Sequence, residues 1–148
     1  DIIKPLFEEI LDDFFPRYVK ILSRRQFKEN ISEIRIEGHT SSEWNFFSSD
    51  HDAYVNNMNL SQRRTSKVLN YLLEMNNIRS YRWVRNNIVA VGYSSSKTRL
   101  INGSENKAAS RRVEFRVITN AEEKLYEIIQ KYESENDLLT INELEFRR

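Results

Sequence analysis

Apolar residues near the start of the chain fall at Ile3, Leu6, Phe7, Ile10, Leu11, Phe14 and Phe15, the i, i+3, i+4 spacing that lines one side of a helix. This predicts an amphipathic helix ending near Pro16, where proline removes a helical hydrogen bond and crowds the preceding turn. From Ile31 to Thr40 the period changes to two: Ile34 and Ile36 alternate with Arg35 and Glu37, a half-buried strand that exits at Gly38. Ser41 to Asn57 is rich in Ser, Asn and Asp, holds Trp44, Phe46 and Phe47 without a period, and reads as a long loop. Helical spacing returns through Leu60, Val68, Leu69, Leu72 and Met75, with Asn59 and Gln62 spaced as a capping box. Ile88 to Tyr93 reads as a short strand, and Ser94 to Ala109 as a polar connection that turns at Asn102-Gly103.

The clearest strand is Arg111 to Thr119, where Val113, Phe115 and Val117 alternate with Arg112, Glu114 and Arg116. A last helix runs from Ala121 to Tyr132 through Leu125, Ile128, Ile129 and Tyr132, with Glu122 and Glu123 at the positive end of its dipole and a peripheral tail from Glu133. The order helix, strand, helix, strand, strand, helix predicts an α/β two-layer sandwich of the α+β kind, a small mixed β-sheet with helices packed on one face. The expected division is a domain over residues 1–120 and a C-terminal helix and tail over 121–148.

Charge narrows the function. Twenty-three basic and 22 acidic side chains leave a net charge of +1, so no global positive field exists to draw in nucleic acid, which is not an expected partner. Arg79, Arg82 and Arg85, interleaved with Tyr81 and Trp83, read as a solvated surface. No apolar run approaches the roughly 20 residues that cross a bilayer. A chain opening at Asp1 without an apolar leader is expected to be a piece of a longer protein whose membrane anchor lies elsewhere.

The absence of cysteine excludes disulfides, thiolate metal sites and cysteine nucleophiles. His39 and Glu37 share a strand face, but neither His51 nor any other ligand is fixed beside them, so no metal site and no cofactor are expected. Ser, His and Asp occur without a nucleophile elbow, and the chain is not expected to be an enzyme. Trp44, Phe46 and Phe47 admit two readings: a platform for sugar rings or a partner, or a cover over the core.

Three separated pieces follow one pattern: Ile36-Glu37-Gly38-His39-Thr40, then Asn57-Met58-Asn59-Leu60-Ser61-Gln62-Arg63-Arg64, then Val91-Gly92-Tyr93 leading to Ser110-Arg111-Arg112-Val113-Glu114. In this order they resemble the OmpA-like C-terminal domain family (I-x-G-H-T-D, N-x-x-L-S-x-x-R-A, G-Y-G, N-R-R-V-E), over about Asp1 to Thr119. The resemblance implies an OmpA-like fold and non-covalent binding of the peptidoglycan peptide stem, through the free carboxylate and amine of diaminopimelate. It implies that Arg64 grips the carboxylate, a task suited to a planar guanidinium that is charged at every physiological pH. The start of the second helix is expected to add backbone N–H groups and a favourable dipole.

Within that resemblance Thr40, Asn57, Leu60 and Ser61 fall on the family's motif, and either Arg111 or Arg112 supplies a second cation. Alternation sets Arg112 beside Glu114 and Arg116 and favours it. The family's Asp, acceptor for the ligand's ammonium, is Ser41 here; Asp50 and Asp52, just before Tyr54, are candidates to restore the carboxylate. Ser110 replaces the family's Asn, and the family's opening strand is expected upstream. The implied setting is the periplasm, attached to the inner or outer membrane through a region outside this chain. Compatible parents are a porin-like protein, a lipoprotein, a flagellar-type stator subunit or the wall-anchoring subunit of a stator-like defence motor, with homodimerisation open. The competing reading is a protein-interaction module that keeps the fold and has lost the wall site.

Overall fold

Eighteen residues, Pro5–Leu22, form the first helix, α1, and its buried positions Leu11, Phe15 and Val19 recur every fourth residue along one face. The computed structural model describes residues 3–78 and 81–145, with side chains through 136. After α1 come α2 (Arg25–Lys28), β1 (Ile31–His39), α3 (Asp50–Glu74), α4 (Arg82–Asn87), β2 (Ile88–Gly92), β3 (Leu100–Ile101), β4 (Ser104–Glu105), α5 (Lys107–Ser110), β5 (Arg112–Thr119) and α6 (Ala121–Glu145). By contacts the chain divides into two compact units, 1–118 and 119–148. None of the described helices is long and apolar enough to cross a membrane.

The main sheet has the order β2-β1-β5. β1 and β2 run parallel, with Ile34 opposite Ile88, Ile36 opposite Ala90 and Gly38 opposite Gly92. Contacts between β1 and β5 run in opposite senses, Ser32 Oγ donating to the Ile118 carbonyl while Glu37 meets Arg116, so the sheet is mixed. Ile34 and Ile36 turn inward onto Leu11, Phe15 and Val19 of α1 and Val68 and Leu72 of α3, which both pack on that face. Phe115 closes the core among Phe14, Phe15 and Tyr18, with ring centroids 5.2, 5.8 and 6.1 Å away. Tyr71 of α3 donates a 2.7 Å hydrogen bond to Asp12 of α1 at the rim. The α/β sandwich expected from the pattern is present.

Three boundaries differ from the expectation. α1 runs through Pro16 to Leu22, because the fully buried Phe15 and Val19 hold the turns on either side of the missing N–H. α3 begins at Asp50, so the second half of the expected loop is helix and Asn59-Gln62 is mid-helix. Its cap is Ser49, whose side chain accepts from the Asp52 N–H at 3.1 Å. The reason for the miss is the buried stripe itself: Ala53, Asn57, Ser61 and Thr65 are small or polar, so a hydrophobicity pattern does not register them. α6 continues as helix to Glu145, past the expected end at Tyr132.

The polar connection after β2 contains the β3–β4 hairpin, which turns at Asn102 and Gly103 with φ of 51° and 80°. In the basic cluster Arg82 and Arg85 are exposed on α4 and Trp83 packs partly against the core; Arg79 lies outside the described residues.

Candidate functional site

Two glycines set how closely α3 lies on the sheet. A Cβ on Gly38 would stand 2.7 Å from Thr65 Cγ2 and 2.8 Å from the Ser61 carbonyl oxygen. One on Gly92 would stand 2.5 Å from Gln62 Cγ and 2.6 Å from both the Gln62 nitrogen and Ser61 Oγ. The helix therefore touches the ends of β1 and β2 at Ser61. There Ser61 Oγ accepts from the Ser94 N–H at 3.1 Å and donates to the Met58 carbonyl at 2.9 Å. This contact fixes the helical turn that follows, which presents Arg64 and Lys67 three residues apart on one side.

Beside it opens a cleft of about 530 Å³, bounded by α3, the start of α1 and the segment leading into β5. Lys4, Arg64, Lys67, Arg111 and Arg112 line it together with His39 and Ser61, and no carboxylate of the described residues does. Arg64 is exposed and makes no ion pair or side-chain hydrogen bond with any described residue. A guanidinium with its planar set of donors open to a cleft of one charge sign is suited to a carboxylate or another oxyanion.

Of the residues expected at the site, Ser61, Arg64, Arg111 and Arg112 meet in this cleft. The two arginines have different employment. Arg112 donates to Glu114 at 2.5 Å and to the carbonyls of Lys97 and Ser110 at 3.1 Å, whereas Arg111, among the described residues, pairs only with Glu43, also at 3.1 Å. Thr40, Ser41 and Asn57 are buried behind the cleft. The Asn57 amide donates to the carbonyls of Ser41 and Glu43 at 3.1 Å each, and so clamps the root of the following loop to α3. Leu60 is half-buried on α3, and Tyr54 lends its carbonyl to Ser94 Oγ at 2.7 Å.

Asp50 and Asp52 sit in the first turn of α3, where Asp52 accepts from Ser49 Oγ at 2.7 Å, and neither lines the cleft. The carboxylate the fold brings to the Arg111 wall is instead Glu43, paired with Lys107 and Arg111, whose hydrogen bonds, that from Lys107 first, hold it below the usual carboxylate range. The expected contribution of the helix start does not reach Arg64, which lies about 21 Å along the axis from Asp50 at 1.5 Å per residue. Lys67 was legible as the i+3 neighbour of Arg64. Lys4 and Glu43 had no signal, because only tertiary packing brings them to the cleft.

His39, at the edge of the cleft, and Glu37 beyond it lie on the sheet face away from the helices, where Glu114 joins them; ligand atoms of the three lie within 4.8 Å of one another. His51, the partner weighed from sequence, is on the exposed first turn of α3. Arginines neutralise both carboxylates: Arg35 (3.6 Å) and Arg116 (3.2 Å) on Glu37, Arg99 (2.7 Å) and Arg112 on Glu114. That pairing leaves no net negative charge for a divalent ion to balance. His39 stacks on Tyr93 (5.1 Å, 12°). Burial, and then the Arg112 charge, hold its imidazole below the ordinary value and therefore neutral.

Comparison with known proteins agrees with the motif order and the fold. The OmpA family model matches residues 6–112. The chain belongs to the OmpA family. It is similar to the Zorya protein ZorB of Escherichia coli, 49% identical over 131 residues, which are 87% of this chain and 55% of that protein. The chain thus spans about half the length of the curated relative it matches. Among solved structures, the periplasmic domain of Helicobacter pylori MotB superposes with a TM-score of 0.52 at 21% identity, covering 89% of this chain and 75% of that one. This likeness shows the same OmpA-like fold.

Proposed function

We propose that this domain binds the peptide stem of peptidoglycan non-covalently and fixes a membrane-anchored parent, a stator subunit by its likeness to ZorB and MotB, to the cell wall in the periplasm. The observation that supports this most is the cleft itself: Arg64, with no ion pair or side-chain hydrogen bond to any described residue, faces a space lined by four other cations and by no carboxylate of the described residues. In this reading Arg64 takes the free carboxylate of diaminopimelate as a bidentate pair, and Arg111 adds a second charge. Glu43, two residues beyond the family's Asp position, receives the ligand's ammonium in place of Ser41. Thr40, Ser41 and Asn57 act by holding the loop root, and Asp50 and Asp52 by stabilising the start of α3. The binding is recognition without chemistry, and no cofactor takes part.

The test is co-sedimentation with purified, protein-free peptidoglycan. Wild type pellets; Arg64→Ala, which loses charge-assisted hydrogen bonds of about 1.5–3 kcal/mol, binds roughly ten- to a hundredfold more weakly. Glu43→Gln weakens binding to a smaller extent. Failure of the wild type to pellet would instead favour the protein-interaction reading, for which the buried Ser41 at the family's Asp position is the motive.

A further inference from the structure

The loop between β1 and α3 presents two phenylalanines almost wholly to solvent. Phe46 and Phe47 are 95% and 94% exposed, set edge to face with centroids 5.5 Å apart, and Trp44 beside them is 40% exposed. They do not cover the core, which removes one of the two readings open from sequence. The loop that holds them is tied down. Asn57 clamps the carbonyls of Ser41 and Glu43, Ser42 hydrogen-bonds the Glu105 carboxylate through both its N–H and its hydroxyl, and Glu43 pairs with Lys107 and Arg111. At the tip Asn45 Oδ1 accepts from the Phe47 N–H and from Ser48 Oγ. Glu105 stands opposite Leu100 in the neighbouring hairpin, whose Leu100 and Ile101 are 63% and 57% exposed. A braced apolar tip of this kind is costly to leave in water and is built to meet a surface.

We infer that this tip stacks on the sugar rings of the glycan strand that bears the bound stem. The inference rests on the reading of the cleft as a stem-binding site. Two observations favour a glycan. First, the tip is continuous with the cleft: Glu43 pairs with Arg111 of the cleft wall, and Phe46 follows three residues later, within about 10 Å of extended chain. A stem whose third residue is gripped at Arg64 also has about 10 Å of chain between that residue and its sugar. Second, residues 41–49 carry a single charge, that of Glu43, and Asp50 and Asp52 follow directly. An anionic membrane surface would be repelled by them, while a neutral, N-acetylated sugar face is not. The aromatic rings supply flat apolar faces for pyranose C–H groups.

The test is calorimetric titration with two ligands, a disaccharide tripeptide muropeptide and the same tripeptide without sugars, using wild type and the Phe46→Ser/Phe47→Ser double variant. Wild type binds the sugar-bearing ligand about tenfold more tightly, as expected for one or two ring contacts. The variant loses that preference while its affinity for the free tripeptide is unchanged. If the wild type binds both ligands equally, or the variant keeps the preference, the tip does not contact glycan and the cleft reading stands alone. If neither ligand binds the wild type, the cleft reading fails and this inference falls with it. A variant that turns a dimer into a monomer in sedimentation, with the sugar preference intact, would make the tip a contact between copies and overturn the inference.

Discussion

At Gly92 one methyl group decides whether α3 can rest on the sheet. The Cβ of an alanine there would stand 2.6 Å from the Gln62 backbone nitrogen, which is backbone and cannot swing aside. Gly92→Ala is therefore expected to destabilise the domain by about 1–3 kcal/mol, seen as a lower midpoint in urea. Because the displaced turn bears Ser61 and leads to Arg64, the proposed binding of peptidoglycan should weaken as well. His39 acts through its charge state. Burial lowers its pKa, so below about pH 6.5 the unfolded chain holds a proton that the native imidazole does not, and stability falls as pH falls. Glu114 adds a second step. Its carboxyl is held down to about 2, first by hydrogen bonds from Arg112 and Arg99. Its contribution is complete above the ordinary carboxylate value and is lost as pH drops from there towards 2. Urea midpoints from about pH 7.5 down to about pH 3 should decline in both ranges, and His39→Gln should remove only the upper decline.

At the scale of elements, α3 has two jobs that different residues perform. Its C-terminal half is anchored by Val68 and Leu72 in the core, while its N-terminal half and middle are held by the buried, polar Asn57, Ser61 and Thr65. Apolar spacing revealed the C-terminal half and not the N-terminal one, since Asn, Ser and Thr bury themselves here through hydrogen bonds and close approach to glycine, which no hydropathy pattern records. Asn57 also joins α3 to the loop, and Asn57→Ala would strand the Ser41 and Glu43 carbonyls. The expected cost is about 1–3 kcal/mol, with faster amide hydrogen exchange confined to residues 41–49 and the first turns of α3. Unchanged exchange there would show that the clamp does not hold the loop.

For the whole molecule, near-neutrality hides a strong local asymmetry. Five cations line one cleft while no carboxylate of the described residues lines it, so a net charge of +1 says little about what the surface attracts. The proposed wall binding through this cleft should weaken steadily as sodium chloride is raised, because the partially exposed pairs are screened beyond about 10 Å at 0.1 M salt. Co-sedimentation across a salt series measures it, and salt-independent pelleting would point to an apolar contact.

The sequence by itself determined the family, the alternating strands β1 and β5, and the apolar faces of α1 and of the second half of α3, and it singled out the motif residues Ser61, Arg64, Arg111 and Arg112, which line one cleft. These are local or motif signals, legible wherever period or spacing survives in the chain. Only the tertiary structure decided that α3 starts at Asp50, that Asn57 is a clamp, that Glu43 stands at the Arg111 wall and that Lys4 joins Arg64. The physical reasons are two: the start of α3 is hidden because its buried stripe is small and polar, and the others depend on side chains distant in sequence meeting across packed elements, whereas period and spacing encode only neighbours along the chain.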